Sequence, residues 1–159
     1  MKPPRILVWL ISGKGPVFAD SICKNEKLRL NSDGALKKLE YVFEATSLIK
    51  ASIDVPLIGF TGSPWTLFVY LYYGESPKNH DEFNNFLELK SYNTHSYLEQ
   101  LTEITKDYVH AQIEAGADCI QIFDSWGGLL DEKYQELSLN YINQIAASIQ
   151  VDIPIILYT

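Results

Sequence analysis

Apolar positions along the chain fall into two patterns that alternate. Three short runs are continuously apolar: "VPLIGF" at 55–60, "DCIQIF" at 118–123 and "IPIILYT" at 153–159. A strand covered by helices on both faces reads this way, because neither side of its pleat meets water. Between these runs, apolar residues recur at helical spacing. Leu36, Leu39, Phe43 and Ile49 precede the first run, and Asn31 to Asp33 offer capping oxygens. Leu98, Leu101, Ile104, Tyr108, Ala111 and Ala115 precede the second run. Gly116 then stands where a left-handed residue closes a helix. Tyr134, Leu137, Tyr141, Ile145 and Ile149 form a third stripe, with Asp131 placed as its N-cap. Pro64 suits a helix entry near Thr66, and a shorter helical stretch is expected around 81–90.

The succession of helix, strand, helices, strand, helix and strand predicts a parallel α/β sheet with right-handed crossovers. No low-complexity tract or linker interrupts it, so residues 1–159 read as one domain. Three parallel strands leave two unpaired edges. The sheet is therefore either small and open or part of a larger closed one. A closed (β/α)8 barrel needs roughly 200 residues or more, so a chain of 159 would hold only part of it.

Composition narrows the function classes. Hydrophobic residues make up 47% and charged residues 21%, a globular balance. A net charge of −7 argues against a nucleic-acid partner, which needs a basic face. The apolar run from Ile6 to Ile11 is short for a signal peptide and lacks a small-residue cleavage site. No stretch approaches the roughly 20 apolar residues of a membrane-spanning helix. A cytoplasmic protein with no membrane partner is expected. Cys23 and Cys119 lie far apart, and Cys119 reads as a buried thiol. His80, His95 and His110 show no metal-ligand spacing, so no metal is expected. "GKGP" at 13–16 lacks the trailing Lys-Ser/Thr of a phosphate loop, and "FDSWGG" lacks the frame of a nucleophile elbow. Arginine is scarce: only Arg5 and Arg29 occur, few for a polyanionic ligand.

In parallel α/β folds, ligands bind at the C-terminal ends of the strands. The first run is followed there by Gly59, Phe60, Gly62, Trp65 and Tyr70, the second by "FDSWGG", and the third ends in Tyr158 and Thr159. Flat rings with a few hydroxyls suit a flat, partly apolar ligand. Each residue also has a plainer use. Trp65 reads first as packing, and Phe60 is balanced between packing and site. Tyr70 could be a helix residue with its hydroxyl in solvent. Ser125 could be a turn or N-cap residue. Asp124 could be an N-cap or a partner for backbone amides.

"PLIGFTGSPWTL" at 56–67, Tyr70, and "AGADCIQIFDSWGGLL" at 115–130 resemble the uroporphyrinogen decarboxylase family. "GKGPVF" and the final "IPIILYT" fit the same family in order and spacing. The resemblance implies a (β/α)8 TIM barrel, here a partial one with about three parallel strands and covering helices. It implies a carboxy-lyase of haem biosynthesis that converts uroporphyrinogen to coproporphyrinogen by removing acetate carboxyl groups, with no cofactor. It further implies a tetrapyrrole substrate and a homodimeric full-length protein. Three substrate-binding residues carry over by position. Phe60 matches the phenylalanine that ends the strand and contacts the macrocycle. Tyr70 matches the tyrosine after the Pro-Trp-Thr segment. Ser125 matches the serine that binds a carboxylate arm.

Thr61 and Ser63 replace the family's more usual alanines, and Gly127 stands where alanine is common; all three changes read as mild. The family's arginine-bearing segment and its central aspartate are expected to lie before Met1, and its C-terminal half beyond Thr159. No catalytic residue is therefore assigned here, and the isolated chain is expected to lack decarboxylase activity and to be poorly stable. Two other readings stay open: a related corrinoid or thiol methyltransferase barrel, and a non-enzymatic open sheet that binds a planar ligand.

Overall fold

The computed structural model describes residues 21–22, 30, 34–76 and 94–159. The capping groups expected at Asn31 to Asp33 and the helical stretch around 81–90 lie outside them. Strands β1 (Ile58–Gly62), β2 (Cys119–Phe123) and β3 (Ile155–Tyr158) form one sheet in chain order. Both pairings are parallel, with Phe60 opposite Gln121 and Gln121 opposite Ile156. Helices α1 (Ala35–Lys38), α2 (Glu40–Ser52), α3 (Pro64–Tyr73), α4 (Thr94–Glu114) and α5 (Asn140–Ser148) accompany it. This is the expected α/β alternation, and it fits part of a (β/α)8 barrel.

Local chemistry sets the element ends. The helix expected before β1 is broken at Leu39, whose φ of −102° and ψ of 6° leave the helical region. Helix α3 begins at Pro64, slightly earlier than expected. Proline needs no amide partner at that position, and the Ser63 hydroxyl accepts the Thr66 N–H at 3.0 Å. Gly116 closes α4 with a φ of +108°, as its position predicted. Asp131 departs from expectation. It is no N-cap: its φ is +46°, a left-handed conformation that aspartate tolerates better than most residues. The chain turns immediately after β2, where the Gly127 N–H reaches the Asp124 carbonyl at 2.8 Å. It then proceeds through 3-10 turns at Gly127–Leu129 and Asp131–Lys133 and a π-helical segment at Gln135–Leu139 before α5 starts.

Apolar side chains collect in two places. Trp65, Phe68 and Val69 of α3 pack on Leu98 and Leu101 of α4. The Phe68 and Tyr97 rings stack there with centroids 5.8 Å apart. Ile120 and Ile122 of β2 pack with Val109 of α4 and with Ile142 and Ile145 of α5. Successive strand residues face opposite ways, so Gln121 and Phe123 point to the other side of the sheet. Both are only half-buried. On that side Ile58, Phe60, Ile156 and Tyr158 are exposed. The continuous apolar runs thus do not mean two covered faces within the described residues. One face packs on helices, and the other is apolar but open.

At the opposite end of the strands, Lys50 of α2 clasps Asp118. Its ammonium lies 2.7 and 2.9 Å from the two carboxylate oxygens. The Leu57 N–H donates to the same carboxylate at 2.6 Å. The backbone hydrogen bond first, and Lys50 second, hold the Asp118 carboxyl below the usual aspartate range. A depressed folded pKa stabilises above the unfolded value of about 3.9 and is lost as pH falls through the folded one. Asp118→Asn is therefore expected to lower the melting temperature at pH 7. The difference from the parent chain should shrink in acid below about pH 4, where the parent's own aspartate begins to protonate. Thermal melts from pH 7 to pH 2 check this, and a pH-independent difference would contradict it.

Candidate functional site

Three rings form a row across the open face, from Phe60 in the middle of β1 to Phe123 and Tyr158, the last residues of β2 and β3. Phe60 and Phe123 meet edge to face with centroids 6.1 Å apart, and Phe123 meets Tyr158 in the same manner at 5.8 Å. Edge-to-face rings of this spacing attract one another. The flanking rings stay largely in solvent, with Phe60 60% and Tyr158 56% exposed. The sequence reading put Phe60 at the end of its strand; β1 instead runs on to Gly62, because the chain stays extended until Ser63 caps α3, and Phe60 is its central residue. Phe123 was not singled out, although a polar Gln121 two residues earlier in an apolar run marks the face both residues share.

Backbone placement of Phe60 depends on Gln112 of α4. The Gln112 amide oxygen accepts the Phe60 N–H at 3.0 Å, and its NH2 donates to the Phe60 carbonyl at 3.2 Å. One side-chain amide thereby does what a neighbouring strand would do for that residue. Gly59 makes room for it. A Cβ at Gly59 would lie 2.9 Å from the Gln112 oxygen, 2.9 Å from Ile120 Cδ1 and 3.1 Å from Ala117 Cβ. The glycine thus serves packing on the helix side, rather than close approach of a ligand.

Asp124, the residue after β2, is fully buried. Its carboxylate accepts the Ser63 hydroxyl from the end of β1 and the Ser138 hydroxyl, at 2.7 Å, from the π-helical segment. Its own N–H reaches the Tyr158 carbonyl at 2.7 Å. The ends of all three strands therefore converge on one aspartate. It is neither an N-cap nor an acceptor for backbone amides: its side chain takes hydroxyl donors. Tyr134 closes over it, hydrogen-bonded to Asp124 and Thr159. Burial first, then the Asp124 charge, pushes the Tyr134 hydroxyl above the ordinary tyrosine range. A Cβ at Gly127 would fall 2.0 Å from the Asp124 carboxylate oxygen. The exchange with alanine that looked mild therefore requires this loop or the carboxylate to move.

The other predicted residues are spread around this rim. Ser125 is exposed, one residue past the buried aspartate. Trp65 is packing, as expected, with 1% exposed. Its indole N–H donates to the Trp126 carbonyl at 3.2 Å and so ties α3 to the Asp-Ser-Trp turn. Tyr70 is half-buried on α3, and its hydroxyl accepts from Ser76 at 3.3 Å. Among the described residues, no ring contact or hydrogen bond joins Tyr70 to Phe60 or Ser125. No group of three or more His, Cys, Asp or Glu among the described residues could hold a metal ion. No described helix is long and apolar enough to cross a membrane.

An open aromatic face, edged by hydroxyls and braced by a buried acid, suits a broad planar ligand with polar substituents. Comparison with known proteins identifies a family. The uroporphyrinogen decarboxylase family model matches residues 6–159. Over 154 residues the chain is 40% identical to a uroporphyrinogen decarboxylase of Francisella tularensis subsp. novicida, covering 94% of this chain and 45% of that protein. A uroporphyrinogen decarboxylase of Francisella philomiragia is 41% identical with the same coverage. One of Christiangramia forsetii is 41% identical over 158 residues, covering 97% of this chain and 46% of its own length. The chain thus spans somewhat less than half the length of these relatives. With the family model matched over nearly all of its residues, the chain belongs to the uroporphyrinogen decarboxylase family.

Proposed function

We propose that this chain supplies part of the substrate wall of a uroporphyrinogen decarboxylase, a cytoplasmic carboxy-lyase that is homodimeric when complete. The observation that carries this reading is the row Phe60–Phe123–Tyr158 on the open face of the sheet, taken with the family match. The macrocycle lies against the rings of the row. Ser125 donates its hydroxyl to a carboxylate arm, and Tyr70 contributes from α3. Protonation of a pyrrole carbon turns that ring into a cation. The cation takes up the electron pair released as the acetate carboxylate leaves as carbon dioxide. A proton then adds to the exocyclic methylene to give a methyl group, and the ring carbon returns its own proton. The substrate is its own electron sink, so this reaction calls for no organic cofactor.

Within that sequence, this chain's residues orient the macrocycle, exclude water and offer aromatic faces to the developing charge. A cation beside an aromatic face gains about 0.5–2 kcal/mol. Titration with uroporphyrin, followed by its fluorescence, tests the proposal. Saturable binding is expected. Phe60→Ala should weaken it about tenfold, equivalent to ~1.4 kcal/mol. The melting temperature should hardly move, because Phe60 is 60% exposed. Absence of saturable binding, or binding indifferent to Phe60, would overturn it.

A further inference from the structure

Of the four residues 124–127, Ser125 is the exposed one. The Gly127 N–H closes this turn on the Asp124 carbonyl at 2.8 Å, with Ser125 and Trp126 at its centre. Both neighbours of Ser125 are gripped by the start of α3. The Ser63 hydroxyl, which caps that helix, donates to the Asp124 carboxylate. Two residues on, the Trp65 indole N–H donates to the Trp126 carbonyl at 3.2 Å. The Trp126 N–H lies 3.5 Å from the Thr66 hydroxyl oxygen, at the limit of a hydrogen bond. The same helix carries Tyr70. Four residues beyond Thr66, it lies on the same helix face, about 6 Å further along the axis. Packing alone does not call for an indole at position 65. Phe68 lies beside Trp65 in the same cluster, ring centroids 5.9 Å apart, and fills it with no polar atom. What tryptophan adds to a ring there is its N–H.

We infer that Trp65 is a positioning residue for the substrate wall: its indole N–H fixes the Ser125 turn against α3 and so sets where the Ser125 hydroxyl stands relative to Tyr70. This rests on the substrate contacts proposed for Ser125 and Tyr70. A hydroxyl bonds a carboxylate oxygen well only over a narrow range, about 2.5–2.7 Å, so its placement decides how much the contact contributes. Helix α3 holds its ten residues at fixed spacing, so whatever is tied to its first turn keeps its distance from Tyr70. Ser63 holds Asp124 on one side of Ser125, and Trp65 holds Trp126 on the other. Without the second tie, the turn is joined to α3 chiefly through Asp124, and the Ser125 hydroxyl can swing about that point. Trp65 itself, 1% exposed, touches no substrate and acts through the serine.

Uroporphyrin titrations of four chains test the assignment: the parent, Trp65→Phe, Ser125→Ala and the double variant. Each single substitution should weaken binding roughly threefold to tenfold. The double variant should bind no more than about twofold more weakly than Ser125→Ala, because the effect of Trp65 passes through that hydroxyl. A role in packing alone would make the two losses multiply, and that result would overturn the inference, as would unchanged affinity in Trp65→Phe. Phenylalanine also leaves space in the core, so benzothienylalanine in place of Trp65 gives a second test. It keeps the double ring and replaces the N–H with sulfur. Circular dichroism should then match the parent while the affinity falls as in Trp65→Phe; parent-like affinity would overturn the inference. Parent-like binding by Ser125→Ala would remove the Ser125 contact, and absence of binding by the parent would remove the tetrapyrrole function; the inference falls with either.

Discussion

Replacing Asp124 by leucine is expected to destabilise the chain by about 3–5 kcal/mol, the largest effect of any single rim substitution. Asp124 is fully buried, and its carboxylate accepts the hydroxyls of Ser63 and Ser138. Hydrogen bonds to a charged group contribute about 1.5–3 kcal/mol each, and leucine leaves two buried hydroxyls unsatisfied. Asp124→Asn should be milder, because an amide keeps one acceptor and a serine hydroxyl can turn to accept from its NH2. Denaturant unfolding of the two variants checks the order. The Asp124→Leu, Ser63→Ala, Ser138→Ala triple variant gives a second check. It removes the acceptor together with the donors it serves, so its loss should fall short of the sum of the three single losses. Equal, additive losses at all three positions would mean that the cluster is not a unit.

Gly59→Ala has the second largest expected effect, and it reaches both stability and binding. The added methyl would crowd the Gln112 oxygen, Ile120 and Ala117 at once. Overpacking of this kind costs typically about 1–3 kcal/mol. Loss of the two hydrogen bonds between Gln112 and Phe60 adds about 0.5–1.5 kcal/mol for each. The backbone of Phe60 would shift with them, so porphyrin affinity should fall as well. Gln112→Leu separates the two contributions: it removes the hydrogen bonds without a methyl on β1. It should lower affinity with a smaller loss of stability. Affinity unchanged in both variants would show that the clamp on Phe60 has no bearing on the site.

The fold was largely legible in the sequence, because each element carries a local signal. The three apolar runs became the three strands, and Pro64 and Gly116 marked helix ends through the proline ring and a positive φ. The site was legible only in part. Phe60, Tyr70 and Ser125 came from the resemblance, and periodicity alone left each with a plainer use. Phe123 and Tyr158 form a row with Phe60 only because the strands align in register, which no local spacing reveals. Asp124 joins partners 61 and 14 residues away, and Gln112 acts on a residue 52 away. Such links depend on how helices cross the sheet. Asp131 misled because aspartate favours both N-caps and left-handed turns, and only the tight path after β2 decides between them.

The Gln112 clamp also bears on self-association. An outer strand normally displays a row of unsatisfied amides and carbonyls that another chain can extend into a longer sheet. On β1 the central residue of that row is already occupied, since Gln112 takes both the N–H and the C=O of Phe60. An incoming strand must first expel a buried glutamine, 4% exposed, before it can pair in register there. Among the described residues, the same contact that holds the backbone of Phe60 therefore makes pairing of a further strand at this edge costlier.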